Sequence, residues 1–416
     1  MADQPMSNSS RRVAAPCQHF LFVTDPMQSH VASTRRLAER VAAAAPNARV
    51  TFSTAVSAHR VMFPHLKSPD GEVLHGVVSY IPYSDGFDAG FNPELHGANA
   101  DAYWPRARAV GSETLRDVVE RLTGRGRPVT RVVYTALVGW VAGVARARGM
   151  PAALFWAKPA TVFAVYHRYF HGHAAELLLS GLPPLRRDAL PSFASMASPG
   201  KRHHLTLAVL RDLFAALDDD DEDHGTVVLV DTFDELERDA LRAVPRLDLV
   251  AVSPVAAWDE PPRRGLLLLP GEAKACIEWL DTKPARSVVY ASFGSVLSVS
   301  KRQEEEMRRG LDATGRPYLL VAHGGGGGGE RAMVVEWCDQ RRVLSHPAVG
   351  CFVTHCRWDS TVESLAGGVP MVAVPRWADQ TTVAALVEES AGVGVRARVD
   401  GEGVVSRGEL LRCVGW

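Results

Sequence analysis

Residues 337–380 read WCDQRRVLSHPAVGCFVTHCRWDSTVESLAGGVPMVAVPRWADQ and decide the fold of this chain. The apolar run GCFVT at 350–354 is typical of a strand buried on both faces of a sheet. The segment after it leads into a predicted helix, for which Asp359, Ser360 and Thr361 are good N-cap residues. A helix that begins at the carboxyl end of a strand presents backbone N–H groups that favour a diphosphate. The stretch therefore predicts an α/β fold with an anion-binding turn.

The same alternation of strand and helix recurs on both sides of this stretch. The runs HFLFVT at 19–24 and RVTFS at 49–53 flank an Ala- and Leu-rich helical segment at 31–45. Further strand-like runs stand at 129–134, 152–155, 226–231, 287–293, 318–322 and 371–374. Strands that alternate with helices form parallel sheets, so we expect a doubly wound α/β architecture over almost the whole chain.

The length of the chain, 416 residues, exceeds what one compact core supports and predicts two domains. Residues 252–265 read VSPVAAWDEPPRRG, a proline-rich and charged composition that is typical of a linker. We therefore expect a disordered N-terminus at 1–18, an N-terminal domain at 19–251 and a C-terminal domain at 266–416.

Composition excludes several classes of protein. The formal net charge is −1, which lacks the basic excess of nucleic-acid binders. The six cysteines form no CxxC pair, so neither a zinc site nor a redox motif is predicted, and a reduced, cytoplasmic chain is expected. The N-terminus lacks a signal-peptide core, and no apolar run reaches the roughly 18 residues of a membrane span.

A run of six glycines at 324–329 contains the pattern GxGxxG after a predicted strand. A dinucleotide-binding fingerprint also needs a helix directly after the glycines, because the helix N-terminus holds the phosphates. No such helix is predicted before Met333. The glycine run is therefore interpreted as a flexible loop, and a nicotinamide-dependent enzyme is the most distant alternative.

The residues of 337–380 together resemble the plant secondary-product glycosyltransferase box of family-1 UDP-dependent glycosyltransferases. The resemblance lies in W-C-x-Q, V-L-x-H-P-A-V-G-C-F-V-T-H-C, S-T-x-E-S-L, G-V-P and the closing D-Q. Segments 132–172, 230–254 and 277–295 are similar to the subgroup of anthocyanin 5-O-, crocetin and hormone glucosyltransferases. The resemblance implies a GT-B fold, in which an N-terminal acceptor-binding domain faces a C-terminal UDP-sugar-binding domain across a cleft.

The resemblance also implies roles for individual residues. We expect Trp337 to contact uracil, and Gln340 and Glu363 to contact ribose. The expected diphosphate contacts are Ser295, His355, Ser360 and the backbone near Trp358, and the expected sugar contacts are Asp379 and Gln380. Cys338 and Asp359 complete the donor-binding set. The resemblance implies that the co-substrate is a UDP-sugar. The closing residue, Gln380, resembles that of glucose-using members, so UDP-glucose is expected. Neither a metal nor a separate cofactor is implied.

His30 follows the first predicted strand, at the position of the family's general base. A neutral imidazole is suited to taking a proton from an attacking hydroxyl near pH 7. Many family members orient this histidine with an Asp after a later strand, whereas the matching position here is Thr135. The charge partner of His30 is thus unidentified from the sequence.

The chain also departs from the family pattern. Arg357 stands where the box has Gly, so a strained or obstructed turn is expected. Asp359 replaces Asn or Ser and places a carboxylate beside the predicted diphosphate. Two roles for Arg357 are open from the sequence: it neutralises Asp359 in part, or it contacts the phosphate itself. Ser29 and Ser33 replace Gly and Pro. The chain stops at Trp416, where family members continue, so a C-terminal truncation is expected.

Two functions follow as expectations. The first is an inverting, monomeric UDP-glucosyltransferase that acts on a hydroxyl or carboxyl of a small plant metabolite, such as a flavonoid, an anthocyanidin or a hormone-like acid. The second is a catalytically impaired or inactive remnant of the same fold that at most binds a UDP-sugar.

Overall fold

The computed structural model describes residues 17–68, 70–91, 100–172, 185, 187–192, 201–218, 227–252, 270–294, 300–322 and 327–415. Ser295, residues 1–16 and nearly all of the predicted linker lie outside this set, so the predicted domain boundaries stay predictions. Among the described helices, none combines the length and the apolar character needed to cross a membrane.

The N-terminal half forms one parallel sheet covered by helices. Its strands are β1 (His19–Val23), β2 (Arg49–Ser53), β3 (Val73–His75), β4 (Val78–Tyr80), β5 (Arg131–Thr135), β6 (Ala152–Trp156), β7 (Val227–Val230) and β8 (Asp248–Ala251). Its helices are α1 (Gln28–Ala44), α2 (Val56–Met62), α3 (Ala100–Gly124), α4 (Trp140–Arg146), α5 (Ala160–Phe170), α6 (Lys201–Asp218) and α7 (Asp234–Leu241). The strand order is β3-β4-β2-β1-β5-β6-β7-β8. Among the described strands of this sheet, only the β3–β4 pair is antiparallel.

The C-terminal half repeats this architecture. Its strands are β9 (Val288–Ser292), β10 (Tyr318–Val321), β11 (Gly327–Gly328), β12 (Ala332–Val335), β13 (Val349–Thr354), β14 (Met371–Ala373) and β15 (Gly394–Arg396). Its helices are α8 (Pro270–Asp281), α9 (Lys301–Ala313), α10 (Gln340–Leu344), α11 (Trp358–Ala366), α12 (Gln380–Ala385) and α13 (Arg407–Val414). The strand order is β11-β12-β10-β9-β13-β14-β15. The prediction of two doubly wound α/β domains is confirmed.

Burial explains why the strands read as apolar runs in the sequence. All five residues of β9, VVYAS, are buried, because helices cover both faces of a parallel sheet. Separate apolar clusters lie on the two faces of the C-terminal sheet, one around Phe352 and one around Val353, whose side chains point in opposite directions.

One loop prediction is wrong in part. Gly327 and Gly328 form a short strand that pairs antiparallel with Val334 and Met333 of β12. Gly327 and Gly328 therefore form the outer edge of the sheet, and β12 follows them where a dinucleotide-binding fingerprint needs a helix.

The two halves are joined at several points near the start of α12. Ser192 of the N-terminal half exchanges hydrogen bonds with Ala378, since its Oγ accepts from the Ala378 N–H at 2.8 Å and its own N–H donates to the Ala378 carbonyl at 2.9 Å. Thr381 and Thr382 donate their hydroxyls to carbonyls of the N-terminal half, Leu190 at 2.7 Å and Ala189 at 2.8 Å. These contacts hold the two sheets on opposite sides of one cleft.

Candidate functional site

The strand orders alone indicate where the candidate site lies in each sheet. Among the parallel strands of each sheet, the strand order changes direction once, between β1 and β5 in one half and between β9 and β13 in the other. Ligands of doubly wound sheets bind at the carboxyl ends of the strands at such reversals. His30 follows β1 and His355 follows β13, so both predicted residues lie at these places.

A cavity of about 220 Å³ lies between the two reversals and is lined by both halves of the chain. The predicted site residues in its wall are His30, His355, Trp358, Asp359, Asp379 and Gln380. The fold therefore brings together the candidate base of one domain and much of the predicted donor-binding set of the other.

His30 has a carboxylate partner, Asp25, that sequence reasoning missed. His30 Nδ1 lies 2.6 Å from Oδ2 of Asp25, which is 2 % exposed. The Thr135 hydroxyl donates to the same oxygen at 3.3 Å, and the Met27 N–H donates to Oδ1 at 3.0 Å. Thr135, where the sequence resemblance led us to look for an orienting Asp, thus hydrogen-bonds an Asp from another strand end. The available signal was an acidic residue directly after a buried strand and five positions before His30.

The turn between β13 and α11 differs from its prediction in two ways. The helix begins at Trp358 and Arg357 is its N-cap; within the described residues no side chain caps this end. The first backbone N–H groups of α11 therefore lack a side-chain acceptor and can receive an anion. The expected strain at Arg357 is wrong, because its φ of −65° and ψ of 144° suit any residue. The left-handed conformation falls one position earlier, on Cys356, with φ of 60°.

His355 is buried against a glycine of the neighbouring strand end. A Cβ at Gly294, whose φ is +73°, would lie 3.0 Å from Nε2 of His355, so this position needs a glycine. Burial, and secondarily the charge of Arg357, lowers the pKa of His355 to about 3. The imidazole is therefore neutral at physiological pH, and its Nδ1 atom has no hydrogen-bond partner within the described residues.

The predicted ribose-binding residues form one hydrogen-bonded group. The Gln340 side-chain amide donates to Oε2 of Glu363 at 2.8 Å and to the hydroxyl of Ser360 at 2.9 Å. Burial raises the pKa of Glu363, while the charge of Arg36 acts in the opposite direction. Gln340, at the start of α10, thus joins two residues on one side of α11: Glu363, predicted to contact ribose, and Ser360, predicted to contact diphosphate.

Asp359 has two cationic neighbours, of which sequence reasoning expected only one. Arg357 Nη2 lies 3.8 Å from Oδ2 of Asp359. Arg36, on α1 of the other half, places Nη2 3.5 Å from Oδ1. The unusual carboxylate in this turn therefore lies between two guanidinium groups.

The predicted sugar-binding residues are held from two sides. Asp379 accepts a hydrogen bond from the Lys158 ammonium at 2.6 Å, which crosses from the N-terminal half. Gln380 Oε1 accepts from the backbone N–H groups of Arg376 at 2.8 Å and Trp377 at 3.1 Å. The Gln380 amide nitrogen is thereby oriented away from its own turn.

Five of the predicted residues that the structure describes are not part of the cavity wall: Trp337, Cys338, Gln340, Ser360 and Glu363. Cys338 is buried in the apolar core, where its thiol meets the Tyr290 hydroxyl at 3.3 Å and burial raises its pKa to about 12. Its side chain faces inward, and its place in the donor-binding set stays a prediction. Trp337 is half-buried between β12 and α10. Ser295 lies outside the described residues.

Known proteins resemble this chain over most of its length. A protein-family profile described as UDP-glucoronosyl and UDP-glucosyl transferase matches residues 270–404. The chain is 37 % identical to UDP-glycosyltransferase 75C1 of Solanum lycopersicum, over 95 % of this chain and 89 % of that protein. It is 40 % identical to Anthocyanidin 3-O-glucoside 5-O-glucosyltransferase 1 of Perilla frutescens, over 95 % and 88 %.

Solved structures show the same fold. The crystal structure of Os79 from O. sativa in complex with UDP superposes with a TM-score of 0.79 at 28 % identity, covering 95 % of this chain and 90 % of that one. An anthocyanidin 3-O-glucosyltransferase in complex with UDP gives a TM-score of 0.76 at 25 % identity, covering 96 % and 89 %. The chain belongs to the family-1 UDP-glycosyltransferases and has their GT-B fold, as its sequence predicts.

Proposed function

We propose that this protein transfers glucose from UDP-glucose to a hydroxyl or carboxyl of a small plant metabolite, with inversion at the anomeric carbon. The observation that carries the proposal is one cavity that combines the His30–Asp25 pair with the open N-terminus of α11. A base for the acceptor and an anion site for the leaving group thus face each other.

His30 acts as the general base in this proposal. If Nδ1 carries the proton donated to Asp25, Nε2 is left with a free lone pair for the acceptor hydroxyl. As the acceptor oxygen attacks the anomeric carbon, its proton passes to Nε2 and the bond from that carbon to the UDP oxygen breaks. The imidazolium that forms is stabilised by the Asp25 carboxylate at 2.6 Å.

The leaving UDP gains negative charge on its β-phosphate during this step. The first N–H groups of α11 and the positive end of its helix dipole stabilise an anion at that place. His355, neutral through burial, adds a polar group without adding a repulsive or an attractive charge. These groups are in place before the reaction and need no rearrangement.

The acceptor end of the cavity favours an aromatic or otherwise apolar molecule. Apolar and aromatic side chains there include Met27, Trp104, Leu137, Phe155, Tyr166 and Leu210. Such walls suit flat phenolic rings, with a few polar groups to orient them. Relatives named for anthocyanidin glucosides, phloretin and crocetin support acceptors of this size and character.

The test is UDP release from UDP-glucose with a panel of flavonols, anthocyanidins and plant-hormone acids. The unmodified chain should turn over with at least one acceptor, and His30→Ala should lose the activity. His65→Ala, an exposed histidine outside the cavity, is the matched control and should keep it.

The alternative is a protein that binds a UDP-sugar without turnover, which the carboxylate of Asp359 beside the diphosphate site favours. UDP binding by a folded protein, with no turnover on any acceptor of the panel, would support this alternative against the transferase.

A further inference from the structure

Arg36 lies on α1 of the N-terminal half and reaches across the cleft to two carboxylates of α11. Its Nη2 atom is 3.5 Å from Oδ1 of Asp359, and its Nη1 atom is 3.5 Å from Oε1 of Glu363. The Arg36 side chain is 17 % exposed, so solvent and salt screen these interactions less than on an open surface. Arg36 therefore joins one domain to two residues predicted to hold the donor in the other.

The two carboxylates need a cation if an anionic ligand is to bind beside them. Asp359 and Glu363 are four positions apart on one helix, so they lie on the same face and repel each other. Asp359 is in the first turn of α11, beside the backbone N–H groups proposed to receive the diphosphate. Two unpaired negative charges there would repel UDP.

The structure supplies cations against these two acidic groups. Arg36 bridges both carboxylates, and Arg357 lies 3.8 Å from the second oxygen of Asp359. Arg341 of α10 is a further cationic neighbour of Glu363. Arg36 is the largest contributor, because it approaches Asp359 more closely than Arg357 does and acts on Glu363 more strongly than Arg341 does.

The hydrogen-bonding capacity of this group is not used up. Nε of Arg36 and Oδ1 of Asp359 are buried and have no hydrogen-bond partner within the described residues. A buried guanidinium N–H without an acceptor is costly to leave unpaired. An incoming phosphate oxygen is an acceptor of the kind that arginine prefers.

We propose that Arg36 is a donor-binding residue contributed by the N-terminal domain. It neutralises Asp359 and Glu363 and so permits a nucleoside diphosphate to bind at the N-terminus of α11. The inference rests on the proposed function in taking UDP as the bound portion of the donor. Arg36 meets the two carboxylates only when α1 lies against α11, so binding of UDP also favours contact between the two domains.

The experiment is isothermal titration of the full chain with UDP and, separately, with uridine, which lacks the phosphates. Arg36→Gln should weaken UDP binding about tenfold or more, since one unit of charge near a diphosphate is removed. Uridine binding should change less than threefold. Arg35→Gln is the matched control, because Arg35 is on the same helix and pairs only weakly with Glu39, at 4.0 Å; its UDP affinity should equal that of the parent.

A second substitution tests whether the effect acts through Asp359. Asp359→Asn in the Arg36→Gln background should restore UDP affinity to within about threefold of the parent. Arg36→Lys keeps the charge and should lose less than Arg36→Gln, which provides a measurement if the Gln variant does not fold.

The outcomes separate the inference from the proposed function. UDP binding that is unchanged or tighter in a folded Arg36→Gln protein would overturn the inference alone, since Arg36 would then be inert or would compete with the ligand for Glu363. Equal losses for UDP and uridine, without rescue by Asp359→Asn, would also overturn it. Failure of the parent itself to bind UDP would overturn the proposed function.

Discussion

Asp25→Asn replaces the carboxylate beside His30 with a neutral group of the same shape. The substitution keeps a side-chain oxygen within reach of Nδ1 but removes the charge that stabilises the imidazolium. Opposite charges about 4 Å apart attract by about 4 kcal/mol at an effective dielectric constant of about 20. The retained hydrogen bond and the partial exposure of His30, 20 %, reduce the expected loss to about 2–3 kcal/mol.

That loss raises the barrier of the proton-transfer step and lowers kcat by about 30- to 150-fold, since each 1.36 kcal/mol is a factor of ten. The affinity for UDP should stay within about twofold, because Asp25 contacts His30 and the backbone of its own loop, away from the α11 turn.

The assay is steady-state UDP release at saturating UDP-glucose, together with UDP titration of the same preparations. Asp117→Asn, an exposed carboxylate on α3, is the matched control and should keep the parent kcat. A kcat for Asp25→Asn within threefold of the parent would refute the reasoning, because the His30–Asp25 pair would then play no part in catalysis. Thr135→Val should give a smaller loss, about tenfold, since the hydroxyl only supports Asp25.

Three further outcomes follow from the site. The pKa of His355 is about 3 when folded and about 6.5 when unfolded, so protonation of the unfolded state lowers the stability of the fold as pH falls below about 7.5. In urea titrations, about 2 kcal/mol of stability should be lost between about pH 7.5 and 5, and His355→Gln should remove this loss. An equal pH dependence in both proteins would contradict this. Gly294→Ala should lower the Tm and weaken UDP binding at least tenfold, because the new methyl group would crowd His355 and because φ at Gly294 is +73°, which strains an alanine. A Kd for UDP equal to that of the parent would count against that geometry. Cys338→Ser should destabilise the fold by about 1–3 kcal/mol in urea titrations with an unchanged Kd for UDP, because the thiol lies in the core; a weaker Kd would return Cys338 to the donor site.

The strands and the donor-binding turn could be predicted because their signals are local. A strand such as VVYAS is buried on both faces and so must be apolar along its whole length. Ser360 and Glu363 lie within one turn of the same helix, so their spacing alone places them on one side of it. The predicted start of α11 differs from the observed start at Trp358 by only a few residues. It differs because hydroxyl and carboxyl side chains near a helix start resemble N-caps whether or not they act as caps.

The contacts that cross the cleft could not be predicted in this way. Lys158 and Asp379 are 221 positions apart, and Arg36 meets α11 only after both domains have folded and docked. Asp25 is near His30 in sequence, yet the direction of its carboxylate depends on Thr135, 110 positions later. Such pairings are set by packing between elements, which no local pattern records.

The stereochemistry of the product tests the central claim most directly. Proton NMR of the glucoside formed from UDP-α-glucose reports the anomeric configuration through the coupling of the anomeric proton. Single displacement assisted by His30 predicts the β-glucoside, and its rate of formation should fall at least a hundredfold in His30→Ala. An α-glucoside, or a β-glucoside formed equally fast by His30→Ala, would contradict the account.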